Sequence, residues 1–327
     1  MLPPSHPSSP PVGEPSPVIL GGTSLGARIR RGLLATRPKF FTASILPVVV
    51  GTGWGYRQSG GLDATVFLLA LLGTVLVHAA SNVWNDVGDD SNGTDRDNDH
   101  RIHPYSGGSR FIQNGVLDED AMLRLSQGLG SAALVVGAIL VWLKGPTVLW
   151  LGLGGLAFGY FYSSPRVRLS DRGVGEAAVG VAFGVLPVCG AAWLQSGAFS
   201  WDALLLAVPV SCWVTAILLI NEVPDITADG ISGKRTLAVR LGTGGTALLY
   251  AGLHFSALLG VLSMVALSAL PVPILVVPAI LMTIGWIAAG KIRNTSRGAL
   301  KQAIEMTLSV HAVGCLWLAG WAWIYPL

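Results

Sequence analysis

Nine predominantly apolar runs, long enough to span or nearly span a hydrocarbon layer about 30 Å thick, recur along the chain between polar loops. They cover residues 40–57, 63–85, 122–143, 146–163, 174–195, 202–222, 243–268, 272–290 and 302–325. Pro47, Pro187, Pro209 and Pro278 fall inside them, and membrane helices tolerate proline better than soluble ones do. The pattern predicts an all-α, polytopic membrane protein with nine transmembrane helices. Residues 28–327 form the membrane domain. Residues 1–27, rich in Pro and Ser and without a basic-then-apolar leader pattern, are expected to be a disordered tail.

Charge orients these spans. Of the 21 Lys and Arg residues, only Arg57 and Lys144 fall in loops on one side; the other 19 lie in the N-terminal region and the even-numbered loops. Basic residues stay with the cytoplasm, so the N-terminus and both long loops, between spans 2 and 3 and between spans 6 and 7, are expected there. A missed or invented helix would scramble that partition. Composition agrees: 51% of residues are hydrophobic and 12% charged, against about 25% charged in soluble domains. A net charge of +3 is too small to suggest nucleic acid. Cys189, Cys212 and Cys315 lie in apolar runs without metal-ligand spacing, which excludes a disulfide framework or zinc site from the expectation.

The candidate chemistry sits in the two long cytoplasmic loops. In one, "NDVGDDSNGTD" follows span 2, and His78, Asn82, Asn85, Asp86 and Asp89 share one helix face. In the other, "NEVPDITADGISGKRTLAVRLG" places Asn221, Asp225 and Asp229 four residues apart, with Pro224 expected to kink the helix before Asp225. An Asp costs about 2.5–3.5 kcal/mol at the centre of a spanning helix and less near its end. Two facing acidic stripes also repel each other unless cations lie between them. Mg²⁺ suits such a place, because it takes one or two carboxylates and completes its shell with water and phosphate oxygens. Arg110, Lys234, Arg235 and Arg240 in the same loops point to a phosphorylated ligand rather than a bare cation. Asp90, Asp97, Asp99, Asp118, Glu119 and Asp120 read as solvated loop residues. His78 stands equally well as a structural or a site residue, and His254 and His311 carry no assigned chemistry.

These two loops resemble the paired aspartate-rich motifs of the UbiA superfamily of intramembrane prenyltransferases. "GKRTLAVRLG", "RPKFFTASILPVVVGT" and "GVGE" are similar to the branch that prenylates dihydroxynaphthoate for menaquinone. The resemblance covers about residues 30–325. It implies a nine-helix bundle around a central cavity and two Mg²⁺ ions held by Asp86, Asp89, Asp95, Asp225 and Asp229. It further implies a diphosphate bound by Asn82, Asn85, Asn221, Arg110, Lys234, Arg235 and Arg240. His78, Tyr160 and Tyr162 are then candidates for the acceptor or carbocation pocket. The implied reaction transfers a polyprenyl group from its diphosphate to an aromatic acceptor, with 1,4-dihydroxy-2-naphthoate preferred, in the inner membrane with the loops facing the cytoplasm. Glu222 and residues 103–110 depart from the branch's usual pattern and leave the acceptor open. An ion-coupled transporter is the rival from another class, but its carboxylates belong near the midplane rather than at one edge. A phosphatidyl-alcohol transferase is disfavoured because Asp229-Gly230 continues as Ile-Ser-Gly-Lys.

Overall fold

A computed structural model describes residues 11, 13–91, 93–94, 98–164 and 166–324. Asp95, expected to be a metal ligand, and Asp97, expected to be solvated, lie outside the described residues. The described chain is all-helical. Two short N-terminal helices, α1 (Pro17–Leu20) and α2 (Leu25–Ala35), precede α3 (Thr42–Ser59), α4 (Ala64–Ser91), α5 (Glu119–Lys144) and α6 (Thr147–Ser163). Next come α7 (Gly175–Val179) and α8 (Leu186–Ser196), joined by a π-helical turn over Gly180–Val185, then α9 (Trp201–Glu222) and the short α10 (Ile226–Ile231). The chain finishes with α11 (Leu237–Ala266), α12 (Val276–Arg293) and α13 (Arg297–Ile324).

Helical segments underlie all nine expected spans. Among the described residues, seven helical stretches are long and apolar enough to cross a membrane alone. An eighth results if α2 and the following Pro38–Ser59 stretch, bent by 51°, count as one span. The span expected over 146–163 is α6, only 17 residues long.

Local signals explain where the helices begin and end. Asp118, Ser200 and Thr236 accept from backbone N–H groups at the starts of α5, α9 and α11, satisfying donors that no helical turn reaches. Asp118 is therefore a cap rather than a merely solvated acid.

Helix pairs approach closely through small residues. Gly51 of α3 lies against the Val188 backbone and Gly55 against Ala192 of α8, leaving no room for a Cβ at either position. In lipid, where apolar side chains gain little by leaving their surroundings, such contacts carry helix association. The interior is apolar, around Trp54, Trp213, Leu206 and Met264. Leu68, Leu134, Trp142, Trp150 and Leu248 are exposed on the outer surface, as a lipid-facing bundle requires.

Part of the expected tail is structured. Within residues 13–27, Glu14 and Leu20 are buried, and Ser16 and Ser24 cap α1 and α2. A compositional reading misses this because the stabilising partners lie about a hundred residues away. Gly51→Leu should push α3 and α8 apart and lower stability by about 1–3 kcal/mol. A fall in the thermal unfolding midpoint of the detergent-solubilised protein is the expected reading; an unchanged midpoint contradicts the close packing.

Candidate active site

The polar cluster lies at one end of the helices. α4 runs six residues past its expected end at 85, so Asp86 and Asp89 stand on continuous helix. The second stripe does break: α9 stops at Glu222, Val223 to Asp225 form a turn around Pro224, and α10 restarts at Ile226. The break frees the Asp225 carboxylate to face the loop between α4 and α5.

One lysine joins the two stripes. The Lys234 ammonium lies 2.7 Å from Asp89 Oδ1 and 3.7 Å from Asp229 Oδ1. The α4–α5 loop then covers the other two carboxylates. The Ser109 N–H donates to both Asp86 oxygens at 3.2 and 3.3 Å. Asp225 accepts from Asn98 Nδ2 at 2.7 Å and from the Gly107 N–H at 3.1 Å. Only glycine suits position 107: its φ is 73°, and a Cβ would stand 2.6 Å from that of Arg101. Residues 103–110, whose sequence departs from the expected pattern, therefore supply backbone donors to both motifs. Thr94 Oγ1 further ties the loop to Ser232 Oγ at 3.1 Å.

Burial shapes the charge of this cluster. Desolvation raises the Asp225 carboxyl above its ordinary value, against opposing bonds from Asn98 and Gly107. Desolvation also pushes Asp229 up to about 7; Lys234 opposes it while Asp225 and Asp89 add to it. Carboxylates from both motifs thus converge on one cation, at a cost that a second positive charge would relieve. Hard oxygen donors suit a divalent ion such as Mg²⁺. Among the described residues, no three Asp, Glu, His or Cys side chains stand together as a ready metal cage.

Against this polar cluster opens a cavity of about 670 Å³ between α4, α5, α6, α8 and α9. Its walls are apolar: Ala133, Gly137, Leu151, Gly155 and Leu186 contribute. Asn82, Asn85, Asn221, His78, Tyr162 and Arg37 also line it. Asn82 Nδ2 donates to Thr36 O at 2.9 Å and Asn85 Nδ2 to Ser163 Oγ at 3.0 Å; Asn221 Oδ1 is buried without a partner. His78 shares a hydrogen bond with Ser44 through Nδ1 and packs between Phe41 and Phe183.

Several expectations change here. Tyr160 is 55% exposed and stacks on Trp84; residues two apart on a helix face different ways, so only Tyr162 lines the cavity. Arg240 is fastened to the carbonyls of Arg235 and Arg172 at 2.8 and 2.7 Å. With exposed Arg235 and with Lys234 it lines a surface pocket outside the cavity, and among the described residues Lys234 alone of these three basic residues is paired with the carboxylates. Arg110 is buried with its side chain 3.9 Å from Glu14. Asp90, expected to be solvated, is buried and accepts from Gln113.

Four contributors carry no assigned role in the sequence. Asn98 lay beyond the recognised motif. Ser109 and Gly107 act through backbone. Arg37, which opens the stretch "RPKFFTASILPVVVGT" without a role of its own there, adopts a left-handed backbone conformation at φ 58° and lines the cavity with a buried Nε that has no partner among the described residues. Its place at the head of that stretch, just ahead of an apolar span, is its signal.

An apolar chamber whose polar lining includes Arg37 together with Asn82, Asn85 and Asn221 of the segments that carry the acidic, lysine-bridged cluster suits a molecule that is hydrocarbon at one end and anion at the other. The chain belongs to the UbiA prenyltransferase family, whose sequence model matches residues 44–311, and it is an integral membrane prenyltransferase. It is 30% identical over 300 residues to the 1,4-dihydroxy-2-naphthoate octaprenyltransferase of Mycobacterium leprae, covering 90% of this chain and 98% of that one. It is 33% identical over 262 residues to the Mycobacterium tuberculosis protein of the same name, covering 78% and 85%. A UbiA homolog from Archaeoglobus fulgidus, solved bound to DMAPP and Mg²⁺, superposes with a TM-score of 0.62 at 18% identity, covering 87% of this chain and 99% of that one. The apo UbiA homolog from Aeropyrum pernix K1 gives 0.64 at 19%, covering 86% and 96%. These two likenesses show the fold.

The raised Asp229 carboxyl makes stability depend on pH in the ligand-free protein. Its folded value, about 7, exceeds the ordinary 3.8, so it favours the folded state at acid pH. That contribution is lost as pH rises through this interval. Asp229→Asn should remove this component from a plot of unfolding midpoint against pH. An identical slope in wild type and variant contradicts the assignment.

Proposed function

We propose that the protein transfers a polyprenyl group from its diphosphate to 1,4-dihydroxy-2-naphthoate, the reaction class that leads to menaquinone. The observation that carries this reading is Lys234 bridging carboxylates of both motifs beside the polar end of an apolar cavity. Support for the acceptor comes from the mycobacterial relatives named for it, and for Mg²⁺ and a prenyl diphosphate from the A. fulgidus complex.

In this reading the donor's isoprenoid tail lies in the chamber and its diphosphate faces the acidic cluster. Asp86, Asp89, Asp225 and Asp229 hold the Mg²⁺, proposed as two ions with Asp95 as a further ligand. Bound there, Mg²⁺ supplies Lewis-acid neutralisation of the charge that develops on the departing diphosphate. Lys234 and Arg37 add fixed positive charge, and the amides of Asn82, Asn85 and Asn221 orient phosphate oxygens or bound water. Arg110 supports this site from beneath the loop, while Arg235 and Arg240 hold the segment that carries Lys234.

Breaking the allylic C–O bond leaves positive character on carbon, which water must not reach. The α4–α5 loop covers the acidic end, and Phe40, Phe183 and Tyr162, which line the cavity, offer negative quadrupoles nearby. His78, held through Nδ1 by Ser44, keeps its second ring nitrogen for the acceptor side. The acceptor ring attacks the carbon and the diphosphate leaves; the acceptor's carboxylate departs as carbon dioxide, its bonding pair restoring the aromatic ring with no net loss of a proton. The membrane arrangement proposed with this chemistry has nine crossings, with α2 and α3 as one bent span and α6 as a short one. The N-terminus and the acidic loops face the cytoplasm of the inner membrane.

Asp86→Ala and Asp225→Ala should each lower turnover by about 100-fold or more while the protein still folds and inserts. Incubation with Mg²⁺, a prenyl diphosphate and a panel of aromatic acceptors, with products read by mass, is the test. Turnover in both variants within a few-fold of wild type contradicts the mechanism. A prenylated product from another acceptor, but none from the naphthoate, corrects the substrate alone.

A further inference from the structure

The buried Glu14 side chain comes from a stretch whose composition suggests a mere tail, yet it sits at the hub of a polar network. Its Oε1 accepts from Arg101 Nε at 2.8 Å and its Oε2 from Asn114 Nδ2 at 3.1 Å. The same Arg101 donates through Nη1 to the Asn98 carbonyl at 2.6 Å, and Asn98 donates through Nδ2 to Asp225 Oδ1 at 2.7 Å. Three short bonds thus run from the N-terminal segment to the second acidic motif.

A second branch leads to the first motif. Asn114 also grips the Pro15 carbonyl at 2.9 Å, and Arg110 lies 3.9 Å from Glu14. Ser109, adjacent to Arg110, is the residue whose N–H meets Asp86. Glu14 therefore clamps the α4–α5 loop on both sides of the turn that supplies the backbone donors.

The segment carrying Glu14 is itself anchored. Leu20 is buried in a cluster with Ala35, Val83, Val87 and Phe111. Arg31 Nη1 holds the Leu20 and Gly22 carbonyls at 2.9 and 2.8 Å. A carboxylate fixed in this way sets guanidinium direction through charge-assisted bonds, which are stronger and more directional than neutral ones.

We infer that Glu14 is a positioning residue for donor binding: through Arg101 and Asn98 it sets the Asp225 carboxylate, and through Arg110 and Asn114 the turn above Asp86. The inference rests on the proposed placement of the donor diphosphate at Asp225. Groups that orient ligands from behind change affinity by about 10–100-fold when removed. Among the described residues, Glu14, Arg101, Asn98, Arg110 and Asn114 do not line the apolar chamber, so loss of the network should weaken recognition of the diphosphate end and leave the tail site intact.

The test is calorimetric binding of geranyl diphosphate with Mg²⁺ and no acceptor, on the full chain in detergent, with thermal unfolding measured in parallel. Glu14→Ala should weaken binding by about tenfold or more with little change in unfolding midpoint. Glu14→Gln keeps an acceptor for Arg101 and should retain most of the affinity. Arg101→Ala should match Glu14→Ala, and the double variant should be no worse than either single one. Wild-type affinity in Glu14→Ala overturns the inference. So does tighter binding, which marks Glu14 as a competitor of the diphosphate. Equal losses in the Ala and Gln variants, tracking a drop in unfolding midpoint, also overturn it by reducing Glu14 to a structural prop. Asp225→Asn separates the two levels: wild-type binding there removes the site assignment itself, whereas lost binding there with normal binding in Glu14→Ala removes only the role of Glu14.

Discussion

The Lys234 ammonium, 2.7 Å from Asp89 and 3.7 Å from Asp229, is the contact around which the rest of the site is arranged. Its partners come from helices separated by more than a hundred residues. Gathering several carboxylates at the edge of a low-dielectric bundle is costly, and opposite charge makes it tolerable. Lys234 supplies part of that charge; the remaining acid is a standing demand for more, which in the proposed function a metal-bound diphosphate would answer. On that proposal, the electrostatic deficit that burdens the ligand-free cluster is also the source of its affinity for the ligand.

The long α4–α5 loop turns that deficit into a defined shape. Backbone donors at Gly107 and Ser109 and the Asn98 amide engage Asp225 and Asp86, so the loop both closes the site against water and sets the direction of its oxygens. Segments far from the acids reach them through it, the N-terminal strand of chain around Glu14 among them. Behind the loop, the apolar chamber needs little chemistry of its own: small residues leave space for a hydrocarbon, and Asn82, Asn85 and Asn221 line it near the charged end.

Much of this was legible in residue order because it depends on local periodicity. Apolar run length marks helices, and the spacing of Asp86 and Asp89 or of Asp225 and Asp229 marks a face. The 19-to-2 division of basic residues carries the expected orientation. What escaped depends on three-dimensional encounters. Residues 13–20 look like a tail until Arg101, Asn114 and the Leu20 cluster are in place. Tyr160 and Tyr162 look equivalent until the helix turns one outward. Arg240 resembles a phosphate ligand until two carbonyls occupy it. Backbone donors such as the Gly107 N–H have no side-chain identity for a motif to display.

The central claim is that two acidic motifs, distant in sequence, hold one ligand jointly. A double-mutant cycle of Asp89→Asn and Asp229→Asn on Mg²⁺-dependent geranyl diphosphate binding tests it most directly. The account predicts strong non-additivity, with the second substitution costing far less once the first is made, because each removes the same shared clamp. Free-energy losses that simply add would show two independent sites and contradict it.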